Sequence, residues 1–126
     1  DMNHVDEERN SGVTLFGNNK ADVDHIRGVT SVFSSAYPEL ADKYPISIHK
    51  HSSTAMPYNS DHAPFVYNLD DDEGPDKDYG RAIVCYGSGS TEYHTYLDTM
   101  DRFNEESLMV SGIIYGSLVR YLAYGD

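Results

Sequence analysis

An α/β layered fold is predicted by short β-prone runs alternating with segments of helical periodicity. Three observations carry the prediction. Val13 to Phe16 is a β-prone run closed off by Gly12 and Gly17. Val23, Ile26, Val29 (or Thr30) and Phe33 recur at spacings of three and four. The stretch from Arg81 to Tyr86 is apolar throughout its middle, and Gly87 to Ser90 breaks it.

Residues 1–11 are polar and charged, and read as a loop. A strand over 13–16 follows, and Asn18 and Asn19 then offer turn and cap chemistry. The periodic apolar set predicts a helix over 21–35. Pro38 limits its continuation, with a further turn over 39–44. Pro45 opens a second strand, 46–49. Residues 50–60 are rich in Ser, Asn and Pro and form a loop. Ser60 or Asp61 caps a short helix from about 62 to 67, with Pro64 allowed in its first turn. Residues 70–79 hold six acidic side chains plus Gly and Pro, a solvated loop whose spacing fits no known calcium loop. The 81–86 run reads as a buried central strand. Residues 104–124 give the longest helix, with an apolar stripe of Leu108, Ile114 (or Tyr115), Leu118 and Leu122. Gly112 and Gly116 weaken helix propensity and are expected to admit a close neighbour. No linker is long enough to split the chain, so one domain is expected.

At 126 residues the chain can bury a modest core, and its 39% hydrophobic content is ordinary for a globular domain. Acidic residues outnumber basic ones 21 to 9, a net charge of -12. Nucleic acid is excluded as a partner, because phosphate binding needs a basic face, and anionic membranes are excluded for the same reason. The acidity serves solubility, and bound metal would neutralise part of it. No apolar run approaches the roughly 20 residues of a membrane helix. Cys85 is the only cysteine, so no internal disulfide forms; its apolar neighbours predict a buried thiol. The compartment stays open. Because the first residue is Asp1 rather than Met, an upstream portion is expected.

None of the six histidines (His4, His25, His49, His51, His62, His94) forms an HExxH pair, and neither a cysteine cluster, a phosphate loop nor a GxSxG elbow occurs. His49 and His51 share one face of a strand, either as a chelating pair or as two exposed residues at a strand end. In Ser60-Asp61-His62-Ala63-Pro64-Phe65, Asp61 is a helix cap, or it orients His62 or a substrate amine. In Glu92-Tyr93-His94-Thr95-Tyr96-Leu97-Asp98-Thr99, His94 follows the carboxyl end of a strand, where α/β sheets place their sites. There His94 is either a ligand or a solvated loop residue. Asp98 is close enough in sequence to support it by a hydrogen bond, and the Tyr93 phenol can donate to a developing oxyanion.

Taken together, these stretches resemble the zinc aminopeptidases of metallopeptidase family twenty-eight, relatives of glutamate carboxypeptidase and glutaminyl cyclase. Asp1-Met2-Asn3 is similar to the end of that family's Asn-Leu-Asp-Met segment. Residues 60–65 are similar to its SDHxPF segment, and Tyr93-His94-Thr95 with Asp98-Thr99 to its YHTxxDT segment. The resemblance covers nearly the whole chain. It implies an αβα sandwich with a mixed β-sheet, incomplete in this chain, and two zinc ions in the complete enzyme, acting on the N-terminal bond of a peptide substrate. Carried over by position, it makes His94 and Asp1 zinc ligands and Tyr93 the oxyanion donor. Asp61 would line the site, and His62 and Asp98 would support it from behind. The family's upstream His-x-Asp segment and Glu-Glu pair have no counterpart: Glu7-Glu8 and Glu105-Glu106 stand in the wrong order. The expectation is therefore a C-terminal portion, inactive by itself, whose partner is the N-terminal half of the same catalytic domain. Glutaminyl cyclisation with one zinc, or a non-catalytic binding module on the same fold, are the alternatives.

Overall fold

A computed structural model describes residues 4–7, 10–17, 20–50, 61, 62, 64, 82–87 and 92–125. Its sheet is built on β1 (Val13–Gly17), which pairs in parallel with β2 (Ile46–Lys50) and antiparallel with β3 (Ile83–Tyr86). The strand order is β2-β1-β3. Two helices make the crossover from β1 to β2: α1 (Lys20–Ala36) and the short α2 (Pro38–Lys43), which Pro38 begins. The chain then runs from β3 through a turn at 92–97 and a 3-10 turn (Met100–Arg102) into α3 (Glu105–Tyr124). Among the described residues, the result is a small α/β domain with a three-stranded mixed sheet packed against α1, α2 and α3.

Gly12 sets the entry to β1. Its φ is +81°, and a Cβ there would run into the Pro45 carbonyl, which accepts the Val13 N–H at 2.9 Å. A side chain at position 12 would therefore oppose the first contact of the parallel pair. Along β1 the pleat sends Val13 and Leu15 to one face and Thr14 and Phe16 to the other. Val13 and Leu15 meet Ile26, Val29 and Phe33 of α1 and Val110, Ile114 and Leu118 of α3 in one core. Each such fully buried aliphatic contributes roughly 1.5–3 kcal/mol. On the opposite face Phe16 meets Val84 and Tyr86, and stacks on His49 at 5.4 Å. Among the described residues, the helices cover the Val13/Leu15 face.

Several expectations need correction. The central strand among those described is β1, and β3 lies beside it as an outer strand with only Val84 buried. An apolar run of this kind also suits a strand whose second face meets a small aromatic cluster. Cys85 is half-buried, not enclosed, although burial still pushes its thiol up to about 11. In α3 the inward face is Ser107, Val110, Ser111, Ile114 and Leu118; Leu108 and Leu122 of the expected stripe are each 50% exposed. This helix is apolar on more than one side, so periodicity did not select the face. Gly112 and Gly116 have no atom within 4 Å of the place a Cβ would occupy, so they admit no close neighbour among the described residues. The capping residues Asn18 and Asn19, the loops at 51–60 and 70–79, and most of the short helix over 62–67 lie outside the described residues.

Candidate functional site

Residues 4–7 meet the start of α3, about a hundred positions further along the chain. Asn104 is its N-cap, accepting the Ser107 N–H on its side-chain oxygen at 3.2 Å. Its amide nitrogen donates to the Val5 carbonyl at 2.9 Å and to the Tyr44 hydroxyl at 3.1 Å. Ser107 Oγ accepts the Val5 N–H at 3.1 Å, and His4 Nε2 accepts the Asn104 N–H at 3.0 Å. The Tyr44 hydroxyl donates to Glu106 at 3.0 Å, and Lys43 pairs with the same carboxylate at 2.5 Å. Burial pushes the Tyr44 phenol up, and the Lys43 and Tyr44 hydrogen bonds hold the Glu106 carboxyl below its usual range. Segment 4–7, which follows Asp1, is thus docked by buried polar bonds that would be costly to leave unmade.

The turn bearing Tyr93 and His94 lies between the carboxyl end of β3 and this junction. Glu92 anchors it: its carbonyl accepts the Thr95 N–H at 2.8 Å and the Thr95 hydroxyl at 2.5 Å, and the Thr95 carbonyl accepts the Asp98 N–H at 3.2 Å. His94 takes φ +61°, the only positive value among the described non-glycine residues. Its ring stacks on Tyr93 with centroids 3.8 Å apart and 23° between planes. Burial, with the Tyr93 phenol adding, pushes the Tyr86 phenol up. Arg102 then reaches in two directions. Its Nη2 pairs with Asp6 Oδ2 at 2.9 Å, and its Nε faces Glu92 Oε2 at 3.5 Å, an ion-pair distance without hydrogen-bond alignment.

The expected site residues fare unevenly. Tyr93 and His94 are together and exposed, with Tyr93 48% accessible. Asp98 is exposed and, among the described residues, forms no hydrogen bond with His94; its backbone serves the turn instead. Asp61 is exposed and His62 buried. Asp1 and His51 lie outside the described residues, and His49 rests on Phe16. Among the described residues, no group of three or more His, Cys, Asp or Glu side chains is arranged to hold a metal. None of the described helices is long and apolar enough to cross a membrane. Sequence reasoning missed Asp6, Glu92 and Arg102, whose pairing joins residues 96 apart and carries no local signal. It began α3 at Asn104, which the structure makes the N-cap, with the helix itself running from Glu105.

Comparison with protein-family models, with curated proteins and with solved structures returned no match.

Proposed function

We propose that this chain is the C-terminal portion of a zinc-dependent aminopeptidase with an αβα sandwich fold. The observation that carries the proposal is the setting of His94. It stands in a left-handed backbone conformation, on an exposed turn just beyond the carboxyl end of β3, with the Tyr93 ring against it. Such a conformation costs a non-glycine residue about 1–2 kcal/mol and concentrates at functional sites. The order Ser60-Asp61-His62-Ala63-Pro64-Phe65, then Tyr93-His94-Thr95 with Asp98-Thr99, supports the same reading.

The described residues by themselves do not fit a zinc ion, since no three of their His, Cys, Asp or Glu side chains are arranged to hold one. No catalytic step is therefore derived through metal. The proposal gives His94 one ligand position and Asp1 another, and draws the remaining donors and the general base from an upstream part of the polypeptide. In this reading Tyr93 donates to an oxyanion, Asp61 lines the site and His62 supports it.

The test is metal content and turnover of the complete polypeptide. Two zincs per chain and chelator-sensitive cleavage of aminoacyl-nitroanilides support the peptidase. One zinc favours a cyclase, and none favours a binding module. The 126 residues by themselves should bind zinc weakly and turn nothing over. In the complete protein, His94→Ala should abolish cleavage while the far-ultraviolet circular dichroism stays unchanged. A metal-loaded complete protein that cleaves no nitroanilide of the panel would sink the proposal.

A further inference from the structure

We propose that Arg102 is a positioning residue of the same site, holding the Tyr93–His94 turn against the segment that follows Asp1. Its purpose rests on the exopeptidase reading, whereas the contact itself stands on geometry. The guanidinium lies between two acids from distant parts of the chain: Asp6 at 2.9 Å and Glu92 at 3.5 Å. Both carboxylates are shielded, with side chains 6% and 21% exposed, and the Glu92 Oε2 and Arg102 Nε atoms are buried. Shielded charges interact through a lower dielectric than surface pairs do, so the contact has more hold than an exposed ion pair.

Arg102 acts through Glu92. The Glu92 carbonyl closes the turn by accepting from Thr95 twice, and His94 takes its left-handed φ inside that turn. Fixing the Glu92 side chain to Arg102 therefore limits where the His94 ring can go. Arg102 is itself fixed by its own N–H bond to the Thr99 carbonyl at 3.1 Å, and it immediately precedes the residues that dock segment 4–7. The type of side chain matters as well. A planar guanidinium presents donors along two edges and spans two carboxylates, whereas an ammonium is a single point charge.

The test compares amide hydrogen exchange in the 126-residue chain and in Arg102→Gln, Arg102→Lys and Asp6→Asn. In Arg102→Gln, exchange at Val5, Thr95 and Asp98 should rise together by about tenfold or more, as local opening, while Val29 and Phe33 of α1 keep their rates. Arg102→Lys should recover part of the protection. Unchanged exchange at Thr95, or an equal rise in α1, overturns the proposal, because the residue would then be inert or merely structural. If Arg102→Gln does not fold, Arg102→Lys and Asp6→Asn carry the same readout. In the complete polypeptide, Arg102→Gln should weaken zinc affinity by roughly tenfold to a hundredfold without altering the circular dichroism. Unchanged zinc affinity in a protein that binds and cleaves normally defeats the positioning role alone. A wild-type protein without zinc defeats the peptidase reading, and the exchange rates then decide the Arg102 contact independently.

Discussion

Ser107 Oγ accepts the backbone N–H of Val5 at 3.1 Å, a bond across 102 residues of sequence. Ser107 is fully buried and donates in turn to the Asn104 carbonyl at 2.9 Å, so one hydroxyl both closes the first turn of α3 and seats segment 4–7. Val5 is itself fully buried in the core formed by β1, α1 and α3.

Ser107→Ala removes the acceptor and leaves a buried N–H unmade. The expected loss is about 1–3 kcal/mol of unfolding free energy. Urea denaturation followed by circular dichroism measures it. Ser117→Ala, on an exposed position of the same helix, serves as the control and should be neutral or slightly stabilising.

Glycine positions separate into two kinds. Gly12→Ala combines a left-handed φ with a collision against the Pro45 carbonyl, and should cost about 3 kcal/mol or more. Gly112→Ala and Gly116→Ala meet open space on an exposed helix face, and each should raise stability by about 0.5–1 kcal/mol. Thermal melts of the three variants check the contrast. A destabilised Gly112→Ala would mean that this face of α3 is covered in solution.

The Lys43–Glu106 pair yields a pH dependence with a defined sign. Hydrogen bonds from Lys43, and then from Tyr44, lower the Glu106 carboxyl in the folded state. A lowered carboxyl contributes stability that is present above its unfolded pKa, about 4.3, and is lost as pH falls through the folded value. Wild type should therefore exceed Glu106→Gln in urea midpoint at pH 7, and the two should converge near pH 2.5. Because the pair is exposed, added salt should shrink the neutral-pH difference. A difference that persists in acid would assign the effect to packing.

Some of this structure was legible in local sequence. Val23, Ile26, Val29, Thr30 and Phe33 all face inward in α1, as their spacing requires, because a helix of 17 residues repeats its inner face often enough for the pattern to emerge. Pro38 opens α2 and Asn104 caps α3, since both act on their own backbone. The inner face of α3 was not legible. With Leu108, Met109, Val119 and Leu122 on its outer sides, several stripes were equally apolar, and the polar residues Ser107 and Ser111 turned inward instead. For the candidate site, the Tyr93–His94 turn beyond β3 was legible from its place after the strand. The absence of an Asp98 bond to His94 was not, because closeness in sequence does not set the direction of a side chain in a turn.

Local sequence was enough for the segments β1, α1, β2, β3 and α3, and for the adjacency of Tyr93 and His94 after β3. Tertiary structure alone decided which strand is central, which side of α3 is buried, and that Arg102 joins Asp6 to Glu92. The physical reason is range. Backbone propensities, caps and pleats act over a few residues and are written locally, whereas a buried hydrogen bond or ion pair depends on what the folded chain brings beside it.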